Sequence, residues 1–221
     1  MTRSFRLGLL KAVSLLFGVG GLAFSLLWLW LGPFQLLPQN YQGWLCLIPN
    51  IYLLSVVAVV HSSFKFPKCK LLYSIISGIS FSLLALLWQT TGIYIYQITF
   101  PSNLLFYSIG LVGIIFGIQG MACLRNQDSL GLKQLYGEEK KHPKFKVRGI
   151  YHYSRHPTYF GLLLLLWGTP NLSLERLVLN IIWSVWILDS CFEEEKKMYK
   201  KYPSEYGYYK KCVPFMSWRL G

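Results

Sequence analysis

Apolar and polar positions along this chain fall into long blocks rather than short periods. Apolar stretches run from about Ala12 to Leu31, Gly43 to Val60, Leu71 to Tyr96 and Leu104 to Leu124. Each approaches or exceeds the ~20 residues that a helix needs to cross a bilayer, so the pattern predicts four membrane-spanning helices within residues 1–124. A shorter block, Tyr159–Gly168, reaches only about 15 Å as a helix, half a bilayer core. Thr169-Pro170-Asn171 breaks it, and a longer, mostly apolar run follows from Leu174 to Phe192. These last two blocks predict a helical hairpin that enters and leaves on one side, with Glu175 and Arg176 near its tip. The tail Glu193–Gly221 is rich in Lys and Tyr and partly amphipathic, which predicts a helix on the membrane surface. The expected fold is an all-α integral membrane protein of five to six apolar segments, divided into residues 1–124 and 125–221, with no Rossmann fold.

Charge adds direction. Only 14% of residues are charged and 53% are hydrophobic, whereas a soluble domain carries about a quarter charged residues, so a soluble globular enzyme is excluded. Aromatic content of 17% excludes a disordered chain. No acidic residue precedes Asp128, and the basic residues before it form small groups: Arg3, Arg6 and Lys11, then Lys65, Lys68 and Lys70, then Arg125. The loops Gly32–Gln42 and Gln97–Asn103 carry no charge at all. The Lys/Arg bias therefore puts the N-terminus, the second-to-third loop and the chain from Arg125 onward, C-terminus included, in the cytoplasm. The net charge of +13 flanks apolar helices, which points to anionic lipid heads rather than nucleic acid.

Other features read as structure. Gly110, Gly113, Gly117 and Gly120 share one face of the fourth helix and permit close approach of a neighbouring backbone. The five cysteines (Cys46, Cys69, Cys123, Cys191 and Cys212) have no CxxC pair, so neither a disulfide framework nor a zinc cluster is expected. The Ala12–Leu31 stretch is too long for a signal peptide and reads as a retained first helix.

Two polar clusters remain, both on the cytoplasmic side. One is the run Gly149–Gly161; the other is Glu193-Glu194-Glu195, at the end of the returning helix. Because hairpin helices are antiparallel, Arg155 and His156 are expected to face Glu194 and Glu195. Ionisable groups at a membrane boundary are expensive, so such a cluster marks a functional candidate. It reads equally as an ion-pair network that caps the hairpin.

The run Gly149–Gly161, with RHPTYFG at its core, resembles a signature of the isoprenylcysteine carboxyl methyltransferase and phospholipid methyltransferase superfamily. A second signature of that superfamily is matched by EEKKMYKKYPSEYGYYKKCVP, Glu194 to Pro214, with Tyr202-Pro203 in place of an aromatic-Gly step. DSLGLKQLY (Asp128–Tyr136) and WGTPNLSLERL (Trp167–Leu177) are most similar to the methanethiol S-methyltransferase and nurim branch. The resemblance implies a membrane methyltransferase that uses S-adenosylmethionine without a metal. It implies a cofactor site at Tyr151, Arg155, His156, Tyr159, Gly161, Glu194, Glu195, Tyr206 and Tyr209, with Arg155, His156 and Glu195 nearest the chemistry. A guanidinium pairs a carboxylate in bidentate fashion, so Arg155 suits the methionine carboxylate. Glu194 or Glu195 suits the ribose hydroxyls or the ammonium, and the tyrosine rings suit adenine and the sulfonium. The implied acceptor is a small thiol or lipophilic molecule arriving from the bilayer: a thiol, a prenylcysteine carboxylate or a lipid amine.

Two rivals differ in chemistry. A nurim-like membrane protein would keep the scaffold without catalysis. A haem protein like zeta-carotene isomerase, which resembles this wider group, would use histidines. His152 and His156 are spaced i, i+4, but Pro157 disfavours the α region at His156 and separates them. His61, at a helix end, reads as an interfacial residue. The charge pattern also sets a topology test with single-cysteine variants and an impermeant maleimide. Cys69 and Cys212 should react only in inverted vesicles, with Cys46 towards the opposite face, and labelling of Cys212 from outside intact cells would overturn the assignment.

Overall fold

The computed structural model describes residues 12–32, 43–63, 70–124 and 145–216. The basic groups at Arg3–Lys11 and Lys65–Lys68, the Asp128–Tyr136 feature and Cys69 lie outside these residues. The described chain is mostly helical and has no Rossmann-like sheet. A π-helical turn, Ser14–Gly20, leads into α1, Gly21–Leu31, and a tight turn, Gly43–Cys46, leads into α2, Leu47–Ser63. Then follow α3, Lys70–Leu87; β1, Tyr94–Gln97; α4, Asn103–Leu124; α5, Pro157–Trp167; β2, Asn171–Ser173; α6, Leu174–Lys201; and α7, Pro203–Cys212. Among the described residues, two stretches, Gly43–Val60 and Asn103–Cys123, are long and apolar enough to cross a membrane. Their outward faces are apolar as well: Tyr52 is 69% and Leu105 65% exposed, as suits lipid contact better than water.

The chain forms two compact units, and neither is a single stretch of sequence. The first contains α1, α2, α3 and the strand pair. Trp28 and Trp88 meet edge to face at 5.4 Å in its interior, beside the buried Leu54, Val57 and Leu84. Here the structure corrects one expectation: the third helix stops at Leu87 instead of running to Tyr96. The side chain of Asn50 takes both backbone groups of Gln89, donating to its carbonyl at 2.7 Å and accepting from its N–H at 3.0 Å. Gly92 then takes φ +71°, and Tyr94–Gln97 becomes a strand, β1, paired with β2. The all-α expectation therefore gives way to a helical fold with a small two-stranded sheet.

Glu175 locks this end of the unit. Its carboxylate is buried and accepts from the Thr91 N–H, the Thr91 hydroxyl and the Ser173 hydroxyl. A buried carboxylate needs such donors in place of water. Glu175, expected near the hairpin tip, lies in the first turn of α6, where an acid complements the helix dipole. Cys46 is fully buried and donates its thiol to the Thr90 carbonyl at 3.2 Å. It therefore resists labelling from either side.

The second unit contains α4, α5, α6 beyond Glu175, and α7. The glycine face of α4 receives α5 backbone to backbone. A Cβ on Gly161 would lie 2.5 Å from the Gly113 carbonyl oxygen and 2.9 Å from the Gly117 nitrogen, and one on Gly168 would lie 2.8 Å from the Gly110 nitrogen. Helix α5 is short, about 16 Å, and its end is capped by α6: Asn180 donates to the Leu166 carbonyl at 2.9 Å and the Trp167 indole donates to Ser184 at 3.0 Å. Helix α6 runs past the apolar block to Lys201. Glu193 and Lys196 pair at i, i+3 along that extension, at 2.8 Å, and good helix formers carry it on. It ends where Tyr202 leaves the helical conformation and Pro203 restarts the chain as the first residue of α7. Gly161→Ala should destabilise the protein by ~1–3 kcal/mol through overpacking against α4, read as a lower melting temperature. A wild-type melting temperature would contradict this packing.

Candidate functional site

Within the second unit, the Gly149–Gly161 run is shaped by two backbone constraints. Gly149 opens it with φ +51°, and its missing Cβ makes room for the Cys123 sulfur. A tight turn over Gly149–His152 follows. Pro157 then starts α5 and, as the sequence indicates, holds His156 outside the helix at φ −127°, ψ 56°. The exposed His152 accordingly shares no helical face with it. The non-helical pair Arg155-His156 is caught by the chain after α7: the Arg155 N–H donates to the Pro214 carbonyl at 3.0 Å and the His156 N–H to the Phe215 carbonyl at 3.2 Å.

The side chains converge on one carboxylate. Glu195, buried on α6, lies 3.1 Å from Arg155 Nη1 and 3.4 Å from His156 Nε2 through Oε1, and its Oε2 accepts from Lys210 Nζ at 2.8 Å. Burial alone would raise the Glu195 carboxyl; the Lys210 hydrogen bond, the Arg155 charge and His156 together overcome this and hold it below the usual carboxylate range. Burial lowers His156 below the ordinary imidazole value despite the pull of Glu195, so the ring is neutral at pH 7. Arg155 keeps unspent capacity. Its side chain is only 8% exposed, yet Nε and Nη1 have no hydrogen-bond partner among the described residues, and neither does the buried Ser154 hydroxyl beside it.

Glu194 has a different setting. It is exposed and accepts the Tyr159 hydroxyl at 2.8 Å. Protein crowding along one side raises its carboxyl, against the Tyr159 hydrogen bond and Lys197, and its open edge lets solvent screen part of that rise. The expectation that both glutamates face Arg155 and His156 thus holds for Glu195 alone. Successive helical residues point ~100° apart, so the two carboxylates serve different surroundings.

Tyr206 and Tyr209, a turn apart on α7, are buried with Val213. Their rings surround Phe145 at 6.0 and 5.6 Å, and the Tyr209 hydroxyl donates to the Tyr151 carbonyl at 2.7 Å. Tyr151, Arg155, His156, Tyr159, Glu194, Glu195, Tyr206 and Tyr209 therefore fall into three linked groups of contacts. Gly161 stands apart from them, its α-carbon facing α4. Sequence reasoning missed Lys210, Phe145 and Phe215. Lys210 is one of many tail lysines, Phe145 sits in a basic stretch, and Phe215 lies just past the second signature.

Comparison with known proteins gives this geometry a context. Residues 105–205 match the family described as phospholipid methyltransferase. The chain is 30% identical over 149 residues to a methanethiol S-methyltransferase of Crocosphaera subtropica, covering 65% of this chain and 58% of that protein's length. It is 23% identical over 191 residues to methanethiol S-methyltransferase 1 of Bradyrhizobium diazoefficiens, covering 78% and 67% of the two chains. A 64-residue stretch is 36% identical to nurim of Xenopus laevis, 26% of this chain and 22% of that one. No solved structure matches significantly. Residues 105–205 thus match the phospholipid methyltransferase family, and the relatives named above are methanethiol S-methyltransferases and nurim, the branch that the signature residues resemble.

Proposed function

We propose that the protein is a multi-pass membrane methyltransferase that uses S-adenosylmethionine, with both termini and the Glu195 cluster on the cytoplasmic side. The observation that carries this reading is the guanidinium of Arg155. It is buried and charge-balanced at Nη1 by Glu195, yet among the described residues its Nε has no acceptor and the adjacent Ser154 hydroxyl has no partner. Buried donors without acceptors are costly, and a carboxylate offers two oxygens in the geometry that a guanidinium matches best. The methionine carboxylate of the cofactor fits this set.

The other residues suit the rest of that molecule. Glu194, held by the Tyr159 hydroxyl and open on one side, suits the cofactor ammonium or the ribose hydroxyls. The Tyr206, Tyr209 and Phe145 rings provide aromatic surface for adenine. Neutral His156, fixed against Glu195, can orient the acceptor without adding charge near a cationic sulfonium. When bound, S-adenosylmethionine supplies an electrophilic methyl group, and its transfer to an anionic acceptor cancels charge. Residues that hold the partners in line and keep water away accelerate such a step, and Arg155, His156 and Glu195 are all largely shielded.

For the acceptor we favour a small thiol, because several of the relatives are named for methanethiol. Calorimetric titration of the purified protein with S-adenosylmethionine and S-adenosylhomocysteine, with a visible absorption spectrum, tests the reading. Binding of both without a Soret band is the expected result. A Soret band without cofactor binding would move the protein to the haem reading, and neither signal would leave it nurim-like. With cofactor bound, methanethiol should yield dimethyl sulfide in the headspace; its absence would exclude this thiol as acceptor.

A further inference from the structure

The strap that follows α7 does more than close the chain. Phe215 contributes its carbonyl to the His156 N–H, and its ring reaches both functional side chains. The Arg155 guanidinium carbon lies 5.5 Å from the ring centroid. The His156 ring meets it at 4.9 Å and 63°. The far side of the arrangement is braced by Phe192, stacked on Phe215 at 5.4 Å and 19°. Phe192 precedes Glu195 by three residues, so α6 presents the brace and the carboxylate on one face.

A guanidinium donates hydrogen bonds in its plane and meets an aromatic ring through charge–quadrupole attraction. Every carboxylate or carbonyl partner uses up a donor; a ring uses none. Phe215 therefore restrains Arg155 without taking any of its N–H donors. The apolar stem of this contact could be supplied by any bulky side chain, but the restraint on the charge requires an aromatic face.

We propose that Phe215 is a positioning residue of the methyl-donor site: its ring, braced by Phe192, holds the Arg155 guanidinium in the orientation that receives the donor's carboxylate. This rests on the methyltransferase reading above. Neither recognised signature contains Phe215, and the family match ends ten residues before it, at residue 205.

The test compares Phe215→Leu and Phe215→Tyr in the full-length protein, by calorimetric titration with S-adenosylhomocysteine and by melting without ligand. Leucine keeps apolar bulk and removes the aromatic face; tyrosine keeps the face. The expected result is binding roughly two- to thirty-fold weaker for Phe215→Leu, with near wild-type melting, and wild-type affinity for Phe215→Tyr. Wild-type affinity in Phe215→Leu, or a Phe215→Tyr variant as weak as Phe215→Leu, would overturn the assignment while leaving the function intact. Failure of the wild-type protein to bind S-adenosylhomocysteine would overturn both. Should Phe215→Leu not fold, Phe192→Leu removes the brace and keeps the strap. It should weaken binding in the same direction, and unchanged affinity there would also overturn the proposal.

Discussion

The arrangement of the candidate site depends on keeping one buried carboxylate charged. Glu195 has lost most of its water, and an ionised group in that position is tolerated only with close opposite charge and hydrogen bonds. Two segments supply them: the stretch before α5 brings Arg155 and His156, and α7 brings Lys210. Segments distant in sequence are drawn to one point for this reason. Loss of the carboxylate would strand a buried guanidinium, whereas loss of a single cation leaves Glu195 still partnered. The three contacts are therefore unequal: Lys210 is half-exposed and neutralises from the rim, while Arg155 is enclosed and retains donors.

Backbone geometry makes that enclosure possible. Pro157 keeps His156 out of the helix, so the N–H groups of Arg155 and His156 turn towards the strap instead of entering α5. Gly161, one turn further on, lets α5 sit against the glycine face of α4. Within a single stretch of sequence, a proline aims the charged pair and a glycine seats the helix that carries it. This division of labour explains why Gly161 lies in the same signature as Arg155 while facing away from the ion pair.

Much of this was legible in the sequence. Long apolar blocks mark helices because hydropathy over ~20 residues has few other readings, and the spacing of Gly110, Gly113, Gly117 and Gly120 foretold a packed face. The strand at Tyr94–Gln97 was not legible. Ile93–Tyr96 is as apolar as a helix end, and the cue that the chain leaves the helix is the distant Asn50, which captures Gln89 through space. The meeting of Arg155 with Glu195 followed from the antiparallel return of the chain. Its restriction to Glu195 did not, because hydropathy fixes a helix's length but not its rotation, and adjacent glutamates differ by ~100°. Lys210 carries no local signal that separates it from Lys211.

The central claim is that Glu195 balances Arg155 so that the guanidinium can serve a ligand, rather than the pair existing only to fasten the fold. Thermal melts of Arg155→Ala, Glu195→Gln and the double variant, each with and without S-adenosylhomocysteine, separate these roles. The account predicts that Arg155→Ala melts close to wild type without ligand and binds about ten- to a hundred-fold more weakly, as expected for loss of a charge-assisted contact of ~1.5–3 kcal/mol. It also predicts that adding Glu195→Gln restores none of that affinity. A destabilisation of ~3–5 kcal/mol by Arg155→Ala, relieved by Glu195→Gln and accompanied by an unchanged ligand response, would contradict it.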